Sequence, residues 1–200
     1  MEKYNGNNHV MVDIETLGVG STPVIAQLSA IRFNPMTGKT YDEFNSYICI
    51  ASCLKEELMI DQGTLEWWNT QPKEVRDKVL YDGKRENIVE SLNNFNDFLG
   101  IIKNVNIWGK GPSFDCSILS NTCDKLKVEK KWGFWNEKCV RTVIALHPEV
   151  KDLKFEGEKH NGLDDCKHQI KQVSKVFRKL FPAVDTEKAE TITSDWIDKL

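Results

Sequence analysis

The chain has 200 residues, 40% of them hydrophobic and 28% charged, which is close to the size of one core and ordinary for a water-soluble protein. Lys and Arg total 27 against 30 for Asp and Glu, a formal charge of −3, so a cationic coat that neutralises long stretches of duplex is excluded. The cysteines form no C-x-x-C pair and no stretch approaches the ~18 apolar residues of a membrane span, which argues against structural zinc and against a membrane partner.

The opening MEKYNGNNHV lacks the apolar run of a leader, so a cytoplasmic location is expected. Val10, Val12 and Ile14 then alternate with His9, Met11, Asp13 and Glu15 at period two, which predicts a strand with Asp13 and Glu15 on one face. Carboxylates beside apolar runs cost stability unless something neutralises them, and hard divalent cations do so through oxygen ligands. An edge strand with its polar face in solvent would give the same pattern.

PVIAQLSAIRF and TYDEFNSYICI alternate and flank Asn34 to Lys39, which contains Pro35 and Gly38 and predicts a β-hairpin. Residues 64 to about 81 and 85–99 read as helical, with Pro72 starting or offsetting a helix. In GTLEWWNTQP, Trp67 and Trp68 point about 100° apart on a helix. Either one of them faces a substrate, or each closes a different side of a core.

Val105, Ile107 and Trp108 predict a short strand broken by Gly109, Gly111 and Pro112. Phe114, Ile118, Leu119, Cys123 and Leu126 follow at helical spacing, with Ser113 as N-cap and Asp115 in the first turn. The macrodipole favours an acidic residue there, with or without a metal. Lys125, Lys127, Lys130, Lys131 and Trp132 form either a solvated helix end or a nucleic-acid contact, and Cys139 to Leu146 is a further segment. Cys166, Ile170, Val173, Phe177 and Leu180 stripe one face of a helix from Gly162 to about Leu180, with Asp165 in its first turn and His160 on the loop leading in. His9, His147 and His168 are expected to be solvated, and the cysteines to be free thiols on apolar faces. A domain over residues 1–183 is expected to precede a polar tail, 184–200, whose Trp196, Ile197 and Leu200 end it in a short docking helix or pack on the domain.

VDIETLG, then G-x-x-F-D opening a helix, then H-x-x-x-x-D opening the last long helix resemble the DEDDh branch of the DnaQ-like 3′-to-5′ exonucleases. GTLEWWNTQP, Trp135 with Asn136, and RTVIAL further resemble small phage exodeoxyribonucleases of the exonuclease VIII and T-even exonuclease A type, over residues 9 to 182. The resemblance implies an α/β, ribonuclease H-like fold: a mixed five-stranded sheet of three antiparallel and two parallel strands with helices on both faces. It implies two Mg²⁺ ions about 4 Å apart, replaceable by Mn²⁺. Asp13 would bridge both, Glu15 and Asp165 would complete the site of the ion carrying the nucleophilic water, and Asp115 would bind through water. His160 would be the general base, since an ordinary imidazole titrates near about 6.5. Two divalent ions would take the formal charge from −3 to +1, so binding is expected to concentrate at the metal-lined end of the substrate.

By the same resemblance Thr16 and Leu17 would meet the terminal nucleotide. Phe114, Trp67 and Trp68 are candidates for stacking, Ser113 and Asn161 flank catalytic positions, and Arg141 would approach a phosphate or pair with a carboxylate. The implied activity is removal of nucleoside 5′-monophosphates from 3′ ends, with single-stranded or frayed DNA favoured over RNA. Retention of all five catalytic positions argues against a non-catalytic nucleic-acid-binding protein of the same fold. Monomer and homodimer are both compatible with the sequence.

Overall fold

The computed structural model describes residues 8–100, 105–111 and 113–182. Three strands open the chain, β1 (His9–Thr16), β2 (Ile25–Phe33) and β3 (Thr40–Tyr47), followed by helices α1 (Ile50–Lys55), α2 (Gln62–Thr70), α3 (Lys73–Leu80) and α4 (Ile88–Leu99). Then come β4 (Asn106–Gly109), α5 (Asp115–Leu126), β5 (Glu137–Cys139), α6 (Val140–Ile144) and α7 (Gly162–Leu180), with short 3₁₀ turns at Phe134–Asn136 and Pro148–Asp152. The sheet has five strands in the order β3-β2-β1-β4-β5, antiparallel on the β2 and β3 side and parallel on the β4 and β5 side. This is the expected mixed sheet with helices on both faces.

β1 is the central strand, so both its faces are covered and its alternation sorts residues between two cores. Val10, Val12 and Ile14 join Leu92, Phe95, Ile118 and Leu119 in the larger cluster, under α4 and α5. Met11 joins Ile31, Phe33, Trp108, Ile170 and Val173 in the smaller one, under α7. Asp13 and Glu15 continue the Met11 face toward the end of the strand, where the apolar cover of α7 gives way to its first turn. Buried area of this kind stabilises by roughly 25 cal/mol per Å² of apolar surface, and it is what holds α7 on the sheet.

Several elements differ from the sequence expectation. β3 ends at Tyr47 instead of running on to Ile50, because Cys49 turns the chain into α1 and Ser52 ties back to it, its hydroxyl donating to the Cys49 carbonyl at 2.6 Å. The helix expected over residues 64–81 is two helices, α2 and α3, since Pro72 has no amide to continue α2 and becomes the N-cap of α3. α4 starts at Ile88, capped by the Asn87 side chain, while Arg85 lies outside it and donates to the carbonyls of Val79 and Ile48. The N-cap of α5 is Phe114, and Ser113 is an exposed residue outside it.

His9 and His168 are buried, not solvated. The Trp108 indole donates to His9 Nδ1 at 2.9 Å, and His168 packs its ring 4.9 Å from Phe155. In the basic run, Trp132 is buried, Lys125 donates to the Glu57 carbonyl, Lys130 pairs with Asp124, and Lys127 is the C-cap of α5. The cysteines are free, with Cys53, Cys116, Cys123 and Cys166 buried. Among the described residues no helix is long and apolar enough to cross a membrane. Residues 184–200, with Trp196, Ile197 and Leu200, lie outside the described residues.

Candidate active site

Four segments meet at the C-terminal end of β1. The first is β1 itself, where Asp13 pairs with Ser29 and Glu15 with Gln27 of β2, so both carboxylates stand on the face that α7 covers. The second is the start of α7. A side chain at Gly162 would place its Cβ 2.8 Å from the Ser29 Cβ and 3.6 Å from Asp13 Oδ2. Only glycine lets the helix begin this close to the sheet, and that approach brings Asp165 beside Asp13. One oxygen each from Asp13, Glu15 and Asp165 lie within 4.8 Å of one another.

The third segment is the loop ahead of α7. His160 takes a left-handed backbone, φ 63°, and its amide donates to Asp165 Oδ2 at 2.9 Å. The turn folds the imidazole back to 3.7 Å from Glu15 Oε1. Asp61 caps α2 by accepting from the Thr64 amide at 2.8 Å, and α2 presents Trp67 edge-on to that imidazole, ring centres 5.1 Å apart. The fourth segment is the β4–α5 turn. Asp115 opens α5 and accepts from the amides of Lys110, at 2.8 Å, and Ile14, at 3.3 Å. The Ile14 amide lies between Asp13 and Glu15, so Asp115 is tied to the same strand. Gly109 leaves room for it, since a Cβ there would fall 2.9 Å from Asp115 Oδ2.

Electrostatics give the cluster its character. Burial, followed by the neighbouring Asp115, Glu15 and Asp165, pushes the Asp13 carboxyl well above the usual carboxylate range, opposed by the Gln169 amide, which donates to Asp13 Oδ1 at 2.8 Å. Burial likewise raises Glu15, Asp115 and Asp165, with His160 working against the rise at Glu15 and backbone amides against it at Asp115 and Asp165. The Glu15 carboxylate in turn raises His160 above an ordinary imidazole. A pocket of carboxylates that resist ionisation suits bound positive charge, and its oxygen donors fit a divalent cation.

Two clefts open from the cluster and share Arg141 and His160. One, of about 630 Å³, is walled by Thr16, Val19, Thr64, Trp67 and Phe114. The other, of about 840 Å³, runs past Asp165 between Lys110, Lys151, Phe155 and Lys159.

Of the residues singled out from sequence, Asp13, Glu15, Asp165 and His160 meet, Asp115 adjoins them, and Thr16, Trp67 and Phe114 line a cleft. Three do not face it. Leu17 is 3% exposed and packed in the larger core, because its amide donates to the Val24 carbonyl and its carbonyl accepts from Asp61, which folds the loop inward. The exposed position is Val19, 72% open. Trp68 is 1% exposed and its indole donates to the Thr16 carbonyl at 2.9 Å, so it buttresses the strand end from within. Asn161 gives α7 its N-cap without a side-chain bond and lines neither cleft. Sequence reasoning missed Gln169, although it follows Asp165 by one helical turn, and that spacing is the signal that would have found it. It also missed Lys110, Lys151 and Lys159, which no motif marks.

A family model described as the 3′-5′ exoribonuclease Rv2179c-like domain matches residues 8–177. An exodeoxyribonuclease of Enterobacteria phage T4 is 27% identical, the alignment covering 80% of this chain and 85% of that one. Among solved structures, the nuclease domain of 3′hExo, a DEDDh family member bound to rAMP, superposes with a TM-score of 0.58 at 15% identity, covering 86% of this chain and 92% of that chain. The zinc-bound form of the E. coli ExoI–ssDNA complex superposes with a TM-score of 0.60 at 18% identity, covering 88% of this chain and 41% of that chain. The fold is thus the ribonuclease H-like fold of the DEDDh exonucleases.

Proposed function

We propose, for a chain that belongs to the 3′-5′ exoribonuclease Rv2179c-like domain family and is thereby a DnaQ-like 3′-5′ exonuclease, that it hydrolyses the 3′-terminal phosphodiester of single-stranded or frayed DNA with two Mg²⁺ ions and releases nucleoside 5′-monophosphates. The observation that carries this reading is the convergence of Asp13, Glu15 and Asp165 within 4.8 Å beside the imidazole of His160.

Asp13, Glu15 and Asp165 would hold the ions, with Asp115 reaching them through water. Divalent ions bound there supply charge relief on the phosphoryl oxygens, a water that ionises near neutral pH, and help for the leaving 3′ oxygen. The chain's own residues do the rest. His160 accepts a proton from the attacking water, and Glu15 beside it stabilises the imidazolium that results. The edge of Trp67 and the His160 amide bond to Asp165 fix where that imidazole stands, which is the positional control a proton transfer needs. Thr16, Trp67 and Phe114 receive the terminal nucleoside, Trp68 supports Thr16 from behind, and Arg141 stands where the two clefts meet, beside His160.

DNA is placed first on the strength of the phage T4 exodeoxyribonuclease relative. The same chemistry on RNA is the second reading, favoured by the description of the family model. Digestion of 5′-labelled DNA and RNA oligomers of matched sequence, with Mg²⁺, with Mn²⁺ and with chelator, tests both. A descending ladder that needs the metal supports the reading, and faster loss of the RNA reassigns the substrate. Internal cuts, or cleavage that survives chelation, would refute it.

A further inference from the structure

The larger cleft differs from its neighbour in its lysines; Lys110 is drawn to Asp165, and Arg141, shared by both clefts, to Asp115, over distances longer than an ion pair. Lys110, Arg141, Lys151 and Lys159 line it, and among the described residues none of them forms an ion pair. Other lysines are paired, Lys78 with Glu158, Lys130 with Asp124 and Lys167 with Glu43. The one acidic residue in the cleft wall is Asp165, already part of the carboxylate cluster. In a chain of net charge −3, unpaired cations gathered in one concavity repel one another and form a local field that an anion relieves. Across Leu153 the cleft adjoins another in which Lys154 and Lys175 also lack ion pairs, so the basic surface continues away from the carboxylates. The smaller cleft contains no lysine, and its character comes from Trp67, Phe114 and Val19.

We propose that the basic cleft holds the phosphodiester backbone of the substrate strand on the 5′ side of the scissile bond. The proposal rests on the exonuclease reading for the direction of the strand. With the terminal nucleoside in the aromatic cleft and the scissile phosphate at the carboxylates, the next phosphates leave by the other opening the two clefts share. Lysines are point charges on flexible stems, so the contact is to phosphate and carries no base preference. Such remote binding energy makes turnover depend on substrate length and on salt.

Fluorescence anisotropy of a labelled decathymidylate, read on the full chain in chelator across a potassium chloride series, measures the cleft without turnover. Lys151 and Lys159 are exposed, so Lys151→Ala, Lys159→Ala and the double variant are expected to fold. Each is expected to weaken binding several-fold and to flatten the slope of log K against log salt by about 0.7. Lys84→Ala, an exposed lysine outside the cleft, should match the wild type. The ratio of kcat/KM for the decamer over a dinucleotide should fall in the double variant. Salt slopes that superimpose for the double variant and the wild type, or an equal loss from Lys84→Ala, would overturn the proposal. Failure of the wild type to shorten the decamer from its 3′ end with metal would instead sink the exonuclease reading, and the anisotropy would still decide the cleft.

Discussion

Asp13 is buried among three carboxylates that oppose its charge, with only the Gln169 amide favouring it. Its folded carboxyl titrates well above the usual range, so its contribution to the metal-free protein is stabilising below about pH 4 and is lost as pH rises through the raised value. Asp13→Asn removes the charge and keeps an oxygen for the Gln169 amide. The metal-free variant should therefore melt at or above the wild-type temperature at neutral pH while losing metal-dependent cleavage, and cleavage at the wild-type rate would end the metal reading. His160→Ala should slow turnover by roughly 10² to 10⁴ with Mn²⁺ affinity little changed, because an imidazole is not one of the oxygen ligands. A loss of Mn²⁺ binding instead would mean that the histidine had been misassigned. His9 shows the opposite electrostatics. Burial and then Lys138 lower its pKa to about 4, so its contribution is present above about pH 6.5 and is lost as pH falls toward 4, up to about 3 kcal/mol. His9→Gln keeps an acceptor for Trp108 and should flatten that part of an unfolding free energy measured from pH 7 to pH 4; an unchanged profile would place the acid sensitivity elsewhere. The burial of His9 is not legible in the sequence, because its partner, Trp108, is 99 residues away.

Two glycines set the position of whole elements. Gly162→Ala would force a Cβ to 2.8 Å from the Ser29 Cβ and closer still to its hydroxyl, so the first turn of α7 must lift, carrying Asp165 with it. Overpacking of this kind costs roughly 1–3 kcal/mol, and a displacement of about 1 Å in a reacting group costs about 10²-fold in rate. Ser29→Gly removes both clashing atoms, so a double-mutant cycle by urea unfolding should show the pair less destabilised than the sum of its parts. Strict additivity would mean that α7 does not rest on Ser29. The ends of α7 were legible beforehand because its apolar stripe is long and unbroken, and β1 was legible because alternation on a central strand sorts residues between two cores. The end of β3 was not, since Ile48 and Ile50 continue a strand-like pattern across the turn that Cys49 makes. Leu17 misled for a related reason: its place after the acidic pair suggests the cleft, but the loop folds back through Val24 and Asp61 and buries it.

At the scale of the molecule, the β2–β3 hairpin and the glycine-broken strand β4 were legible as patterns. The five-stranded sheet and the carboxylate set came from the family resemblance of three short motifs, and β5, only three residues long, carries no pattern of its own. The basic cleft was not legible, because its cations are scattered from Lys110 to Lys159 and a net charge of −3 conceals them. Among the described residues the two apolar cores of the domain lie between Val10 and Phe177. Inside that domain the carboxylates are the main charge strain, and binding of a cation to the native state alone should relieve it. Linkage gives about 2.7 kcal/mol when the free ion stands at a hundred times its dissociation constant. For a domain of this size each kcal/mol raises the melting temperature by about 2–4 °C, so Mg²⁺ or Mn²⁺ should raise it by about 5–10 °C. The shift should grow as pH rises through the raised carboxyl values, because ligands must lose their protons to bind, and it should shrink in Asp13→Asn. Scanning calorimetry against potassium chloride of matched ionic strength isolates the effect. A shift of equal size in the monovalent salt would mean that screening, and not coordination, is what these side chains require.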